Sequence, residues 1–209
     1  MKLSPRLALL RHYSNLYAVS GQTGTLTSSH AQPEGITPTI QYIPIEYVER
    51  LEKYVPGGYH PVHLGDRLNN GRYTIVHKLG SGGYSTVWLA HDEHESRYVT
   101  VKIVMAAVRD PSRERDIRWK LTKAAAHGQA GGKYVQLLLD EFIEQGPNGN
   151  HLCLVSTPGG CSLQESQEIS SSSWLFPLDV ARAIAAQLIL GTAFLHSQNI
   201  AHGGKSSPN

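Results

Sequence analysis

The sequence predicts an α+β fold, an antiparallel sheet of five strands with one crossing helix and a longer helix after it. Three observations predict it. Five stretches alternate apolar and polar residues with period two: "YTIVHKLG", "TVWLAH", "RYVTVKIVM", "VQLLLDEF" and "HLCLVS". Between the third and fourth lies "PSRERDIRWKLTKAAA", which puts Pro111 and Ser112 at a helix start and continues in strong helix formers. After the fifth, "PLDVARAIAAQLILGTAFLH" sets Val180, Ile184, Leu188 and Leu195 on one helical face, with Asp179 near its start. No internal repeat is visible.

Bulk properties limit the alternatives. The 209 residues, 40% hydrophobic, suffice for one packed domain with a tail or for part of a larger domain. A net charge of +2 with 17% charged residues gives no general argument for a nucleic-acid partner or an acidic substrate. Cys153 and Cys161 match neither a CxxC pair nor a disulfide framework, so both read as reduced thiols, Cys153 on a buried strand. The apolar run "AIAAQLILGTAFL" is shorter than a membrane span and contains Gln187, which predicts an amphipathic core helix and no membrane partner.

Four regions follow along the chain. Residues 1–40 carry Lys2, Arg6 and Arg11 with no acid before Glu34, the composition of a mitochondrial presequence or of a basic disordered tail and linker. Residues 41–72, with "YVERLEKYVPGGYHPVHLGDRL", bring aromatics and a Pro-Gly-Gly turn and read as an ordered lead-in that packs on the domain. Residues 73–158 hold the five strands and the first helix, and residues 159–209 the remainder.

The first two strands are joined through Gly80, Gly82 and Gly83, whose missing side chains let backbone N–H groups approach a phosphate. Taken alone, such a cluster reads as a hairpin turn. The next strand changes that balance. Tyr98, Thr100, Lys102 and Val104 share one face, and Val99, Val101 and Ile103 the other. A lysine in an apolar central strand is costly without an anionic partner. Glu114 on the first helix is a candidate, with Asp116 as the alternative. "HDEHE", residues 91–95, lacks the HExxH spacing and reads as a solvated turn, not a metal site.

With these residues in hand, the chain resembles the eukaryotic protein kinases, and among them the serine/arginine-protein kinases and their fungal relatives. The resemblance rests on "PGGYHPVHLGDRLNNGRYTIVHKLGSGGYSTVWLAHD", "KYVQLLLDEFIEQGPNGNHLCLV" and "LDVARAIAAQLILGTAFLHSQNIAHG" and covers roughly residues 55–204. It implies a kinase small lobe at residues 73–158, then the first helices of a helical large lobe that breaks off at the catalytic loop. By this resemblance Leu79 and Val87 roof the adenine, and the amides of Gly80, Ser81, Gly82, Gly83, Tyr84 and Ser85 cover the phosphates. Lys102 holds the α- and β-phosphates, Glu114 is its ion-pair partner, and Ser156, Thr157, Pro158 and Gly159 form the hinge. His202 matches the structural histidine of the catalytic loop, and Asn209 stands at the metal-binding asparagine.

The same comparison shows departures. Ser85 replaces the third glycine, Thr100 the small residue against the adenine, Arg118 a buried apolar helix residue, and Ser156-Thr157 the usual hinge. Gly204 occupies the position of the catalytic aspartate, and no Asp-Phe-Gly motif follows. The resemblance therefore implies a serine/threonine protein kinase using ATP and Mg²⁺, with an arginine/serine-rich protein substrate and a place in cytoplasm or nucleus, and inactive as this chain. A non-catalytic nucleotide-binding or partner-docking pseudokinase is the alternative.

Overall fold

The computed structural model describes residues 49–160, 162–170 and 175–201; the basic N-terminus, Cys161, His202, Gly204 and Asn209 lie outside them. Six strands are present: β1 (Arg67–Leu68), β2 (Tyr73–Gly82), β3 (Ser85–Asp92), β4 (Arg97–Val104), β5 (Leu138–Gly146) and β6 (Gly149–Ser156). Helix α1 (Ser112–Ala126) separates β4 from β5, and α2 (Leu163–Ser170) and α3 (Leu178–Ser197) follow the sheet. All pairings are antiparallel, in the order β1-β2-β3-β4-β6-β5. The five expected strands are joined by β1, which pairs Arg67 with Thr74 and Leu68 with Tyr73. Two residues are too short to show a period. The reversal after them uses Asn69, Asn70 and Gly71, all at positive φ, where asparagine and glycine are tolerated.

The parity of β4 decides what each face of the sheet does. Val99, Val101 and Ile103 are buried with Tyr73, Ile75, Trp88, Ala90, Cys153 and Val155 in the main core, and Leu68 joins them. Each fully buried apolar side chain of this size contributes about 1.5–3 kcal/mol. Burial pushes the free Cys153 thiol well above its ordinary value, so it behaves as a small apolar group. On the other face a smaller cluster of Val104, Leu138, Leu152 and Leu154 meets Trp119 of α1.

The sheet curls until its two ends meet. Arg72, just before β2, donates from Nε and Nη2 to both oxygens of Asp92 and from Nη1 to Asp140 of β5, each at 3.0 Å. The Tyr73 hydroxyl donates to the same Asp140 at 2.6 Å, and its ring stacks on Phe142 at 5.4 Å. The Asn69 amide donates to Glu144 Oε2 at 2.9 Å. Side chains thus bridge the ends that backbone pairing leaves apart. Asp92 also accepts from the amides of His94 and Glu95, so "HDEHE" is an ordered turn tied to Arg72.

The helices differ from expectation in two respects. Helix α2 was not foreseen, because "LQESQEIS" carries no apolar period to mark it. In α3 the expected core face is Val180, Ile184, Leu188 and Leu195, yet Gly191 and Phe194 are the buried residues and Leu188 is 60% exposed. The contact that decides this is the 3₁₀ turn Gly132–Tyr134. A Cβ on Gly131, at φ 91°, would stand 2.1 Å from the Leu190 carbonyl oxygen. The helix runs 20 residues and is long and apolar enough, by composition, to cross a bilayer. Contrary to expectation, its length therefore does not set it apart from a span, and of its residues only Gly191 and Phe194 are buried.

Candidate nucleotide site

The site is assembled on the Lys102 face of the sheet. Gly80, Val87, Lys102 and Leu154 lie directly opposite one another across four strands, and Leu89, Thr100 and Ser156 form the next row. Because facing residues on antiparallel strands point to the same side, Val87, Thr100 and Lys102 address one cleft. Lys102 Nζ reaches Glu114 Oε1 at 2.8 Å and Oε2 at 2.6 Å. Asp116 instead pairs with Arg115 and is mostly exposed, so Glu114 is the partner of Lys102.

Arg118, one turn along α1, donates from Nε to Glu114 Oε1 at 3.0 Å. This explains how a guanidinium stands where an apolar side chain was expected. Burial would raise the Glu114 carboxyl, but the bonds and charges of Lys102 and Arg118 outweigh it and hold the group below its ordinary value. Thr122 adds a hook between helix and sheet, its Oγ1 accepting from the Leu138 amide at 2.9 Å and donating to the Arg118 carbonyl.

The glycine segment is a hairpin whose last pair is Gly82 with Ser85, leaving Gly83 and Tyr84 as the turn. A register shift lies between Lys78 and Gly80, so Leu79 occupies a β-bulge and is 47% exposed. Side chains at Gly80 and Gly83 would meet nothing within 4 Å, which leaves the backbone there open to a close ligand. Ser81 and Gly82 are half-buried, Ser85 is buried and Tyr84 projects outward. At the far end Ser156 closes β6, and Thr157, Pro158 and Gly159 are exposed, with the Thr157 carbonyl accepting from Gln136 Nε2 at 3.0 Å.

The residues fit a nucleoside triphosphate in three respects. Lys102 is a cation held in place by two carboxylate bonds, the glycine backbone is uncovered, and Thr100 Oγ1 is a buried hydroxyl without a partner among the described residues. For magnesium no ligand set emerges. Among the described residues no group of three or more His, Cys, Asp or Glu could hold a metal ion, and Asn209 and Gly204 lie outside them.

The chain is similar to known proteins. Protein kinase dsk1 of Schizosaccharomyces pombe is 34% identical over 152 residues, 72% of this chain and 28% of that protein. Over its matched residues the chain is a relative of the serine/threonine protein kinases of the SRPK type. Serine/threonine-protein kinase SRPK of Physarum polycephalum is 36% identical over 72% of the chain and 35% of its own length. SRSF protein kinase 3 of Homo sapiens is 35% identical over 73% of the chain and 27% of its own length. No family model matches the chain. The chain thus spans about a quarter to a third of these SRPK-type relatives, and the antiparallel sheet with its helices is consistent with their small lobe.

Strand parity turned Lys102 toward the cleft that the glycine loop overhangs, and Glu114 on the helix was its candidate partner, with Asp116 as the alternative. Sequence reasoning missed Arg118 as a second partner of Glu114, and it missed Lys53 and Tyr59, which contact the hairpin tip from the lead-in. The Pro-Gly-Gly turn was the available signal for the last two.

Proposed function

We propose that this chain provides the nucleotide-binding lobe of an SRPK-type serine/threonine protein kinase, the reaction class being ATP-dependent phosphoryl transfer to a protein hydroxyl. The observation that carries the reading is the Lys102–Glu114 ion pair on the face overhung by the open glycine hairpin. ATP, when bound, supplies the transferable phosphoryl group. The chain's own residues bind and orient it: Lys102 neutralises phosphate charge, the hairpin amides donate to phosphate oxygens, and Val87 with Thr100 bounds the adenine. Glu114 keeps the lysine aimed, since an ammonium on a four-carbon stem is otherwise free to rotate away.

A second reading is favoured by Gly204, which offers no acceptor where the resemblance has the aspartate that takes the substrate proton. On that reading the chain binds nucleotide or docks a partner and transfers nothing. An arginine/serine-rich protein as substrate belongs to the first reading only. Titration of the chain with a non-hydrolysable ATP analogue, followed by thermal melting beside Lys102→Ala, tests the shared step. Saturable stabilisation that the variant loses supports the nucleotide lobe, and no stabilisation of the native chain overturns it. Phosphate transfer to an arginine/serine-rich peptide would then decide between the two.

A further inference from the structure

The lead-in touches the glycine hairpin at its tip. The Tyr59 hydroxyl donates to the Gly82 carbonyl at 2.8 Å, and Lys53 Nζ donates to the Gly83 carbonyl at 3.2 Å. Tyr59 is 2% exposed, and the Lys53 ammonium also lies about 6 Å from the rings of Tyr59 and Tyr84. Gly82 ends β2 and Gly83 is the first residue of the turn into β3. We infer that Tyr59 and Lys53 are positioning residues that latch the tip of the glycine hairpin and set how closely its amides can approach phosphate.

The sequence builds the latch locally. Val55-Pro56-Gly57-Gly58 closes with the Gly58 amide on the Val55 carbonyl at 2.7 Å, with Gly57 at φ 85°, the third position of a type II turn. A Cβ on Gly58 would lie 1.7 Å from the Lys53 carbonyl oxygen, so only glycine lets the chain fold back there. That reversal brings Lys53 and Tyr59 side by side, and the Tyr59 amide donates to the Lys53 carbonyl at 2.9 Å.

The turn is itself anchored. The Ala106 and Ala107 amides donate to the Gly58 and Gly57 carbonyls at 3.2 and 2.8 Å, the Gly57 amide to Asn148 at 2.7 Å, and Asn148 Nδ2 to the Tyr59 carbonyl at 2.7 Å. Residues 106 and 107 follow β4, the strand that carries Lys102, and the Met105 amide donates to the Tyr84 carbonyl at 2.9 Å. The latch therefore fixes the hairpin tip to the strand bearing the phosphate lysine. A glycine turn with open space around it would otherwise be free to lift.

This inference rests on the nucleotide reading, and its test separates the two. Tyr59→Phe removes the hydroxyl while keeping the ring, and Lys53→Met removes the charge while keeping the stem. Hydrogen exchange of the Gly82–Ser85 amides, without nucleotide, should quicken about fivefold in Tyr59→Phe, the loss of one hydrogen bond. Exchange in β4 should stay unchanged. Affinity for the ATP analogue should fall by a similar factor, with adenosine, which lacks phosphates, binding as before. Unchanged tip exchange in both variants overturns the latch. Quickened exchange with an unaltered ratio of ATP-analogue to adenosine affinity overturns its role toward phosphate. If the native chain binds neither ligand, the nucleotide reading and the phosphate role fail together, and exchange alone still judges the latch.

Discussion

Replacing Arg72 with alanine should open the polar bridge between the sheet ends at a measurable cost in stability. The guanidinium makes three hydrogen bonds at 3.0 Å, two to Asp92 and one to Asp140, and closes β2 on β5. The Asp92 side chain is 1% exposed, whereas Arg72 and Asp140 are 24% and 28% exposed. Breaking a buried pair by removing one partner costs about 3–5 kcal/mol. Asp92 keeps its two backbone amides in the variant, and Asp140 gains water, so the lower end applies, about 3 kcal/mol. For a domain of this size that lowers Tm by roughly 6–12 °C.

A pH series sharpens the test. The Arg72 bonds, outweighing burial, hold the Asp92 carboxyl below its ordinary value of 3.8. Its contribution is fully present above that value and is lost as pH falls through the lower folded value. Urea unfolding of native chain and Arg72→Ala, followed by circular dichroism between pH 7 and 3, measures both. The difference between the two proteins should shrink towards the acid end. A loss under about 1 kcal/mol at pH 7, or a difference independent of pH, would refute the account of sheet closure.

Three other outcomes are expected. Thr100→Ala removes a buried hydroxyl without a partner among the described residues, so the chain should lose no more than about 1 kcal/mol of stability and, without the hydroxyl offered to the nucleotide, should bind an ATP analogue about fivefold more weakly, by calorimetry. Burial, helped by the neighbouring His151 ring, depresses the His60 imidazole below its ordinary value of 6.5, against smaller opposite effects of Glu144 and Asp66. Because the unfolded chain then binds the extra proton, stability should fall as pH drops below 6.5, by at most about 1.4 kcal/mol per pH unit, and His60→Gln should flatten that slope in urea titrations. Leu188 and Ile189 are 60% and 68% exposed on α3, so the chain should self-associate, and Ile189→Glu should shift it towards monomer in analytical ultracentrifugation.

How much could be read from the sequence differs by element. The alternation of Val99, Val101 and Ile103 against Thr100 and Lys102 is a local signal, and the core follows it residue by residue. Glu114 was legible as an acid at the right helix position, although Asp116 competed until the geometry placed it with Arg115. Closure of the sheet was not legible, because Arg72 and Asp140 stand 68 positions apart and nothing near either marks the other. The packing face of α3 was misread for a related reason. Gly191 carries no hydrophobic signal, yet its lack of a side chain lets the helix approach Tyr134. The hairpin latch was hidden because tyrosine and lysine ahead of a turn are common surface residues, and only the turn geometry brings them to Gly82 and Gly83.

Helix α1 has one buried residue, Leu121, and its other attachments to the sheet are largely polar: Lys102 with Glu114, and Thr122 with Leu138. Trp119 covers only part of the small apolar cluster. Apolar packing is not screened by dissolved ions, whereas charge pairs at partly exposed positions weaken when the Debye length shrinks to about 3 Å in molar salt. The helix and the lysine it steers are therefore fastened by forces that ionic strength can loosen while the sheet beneath stays intact. Sodium chloride acts here as a selective solvent for one joint of the molecule.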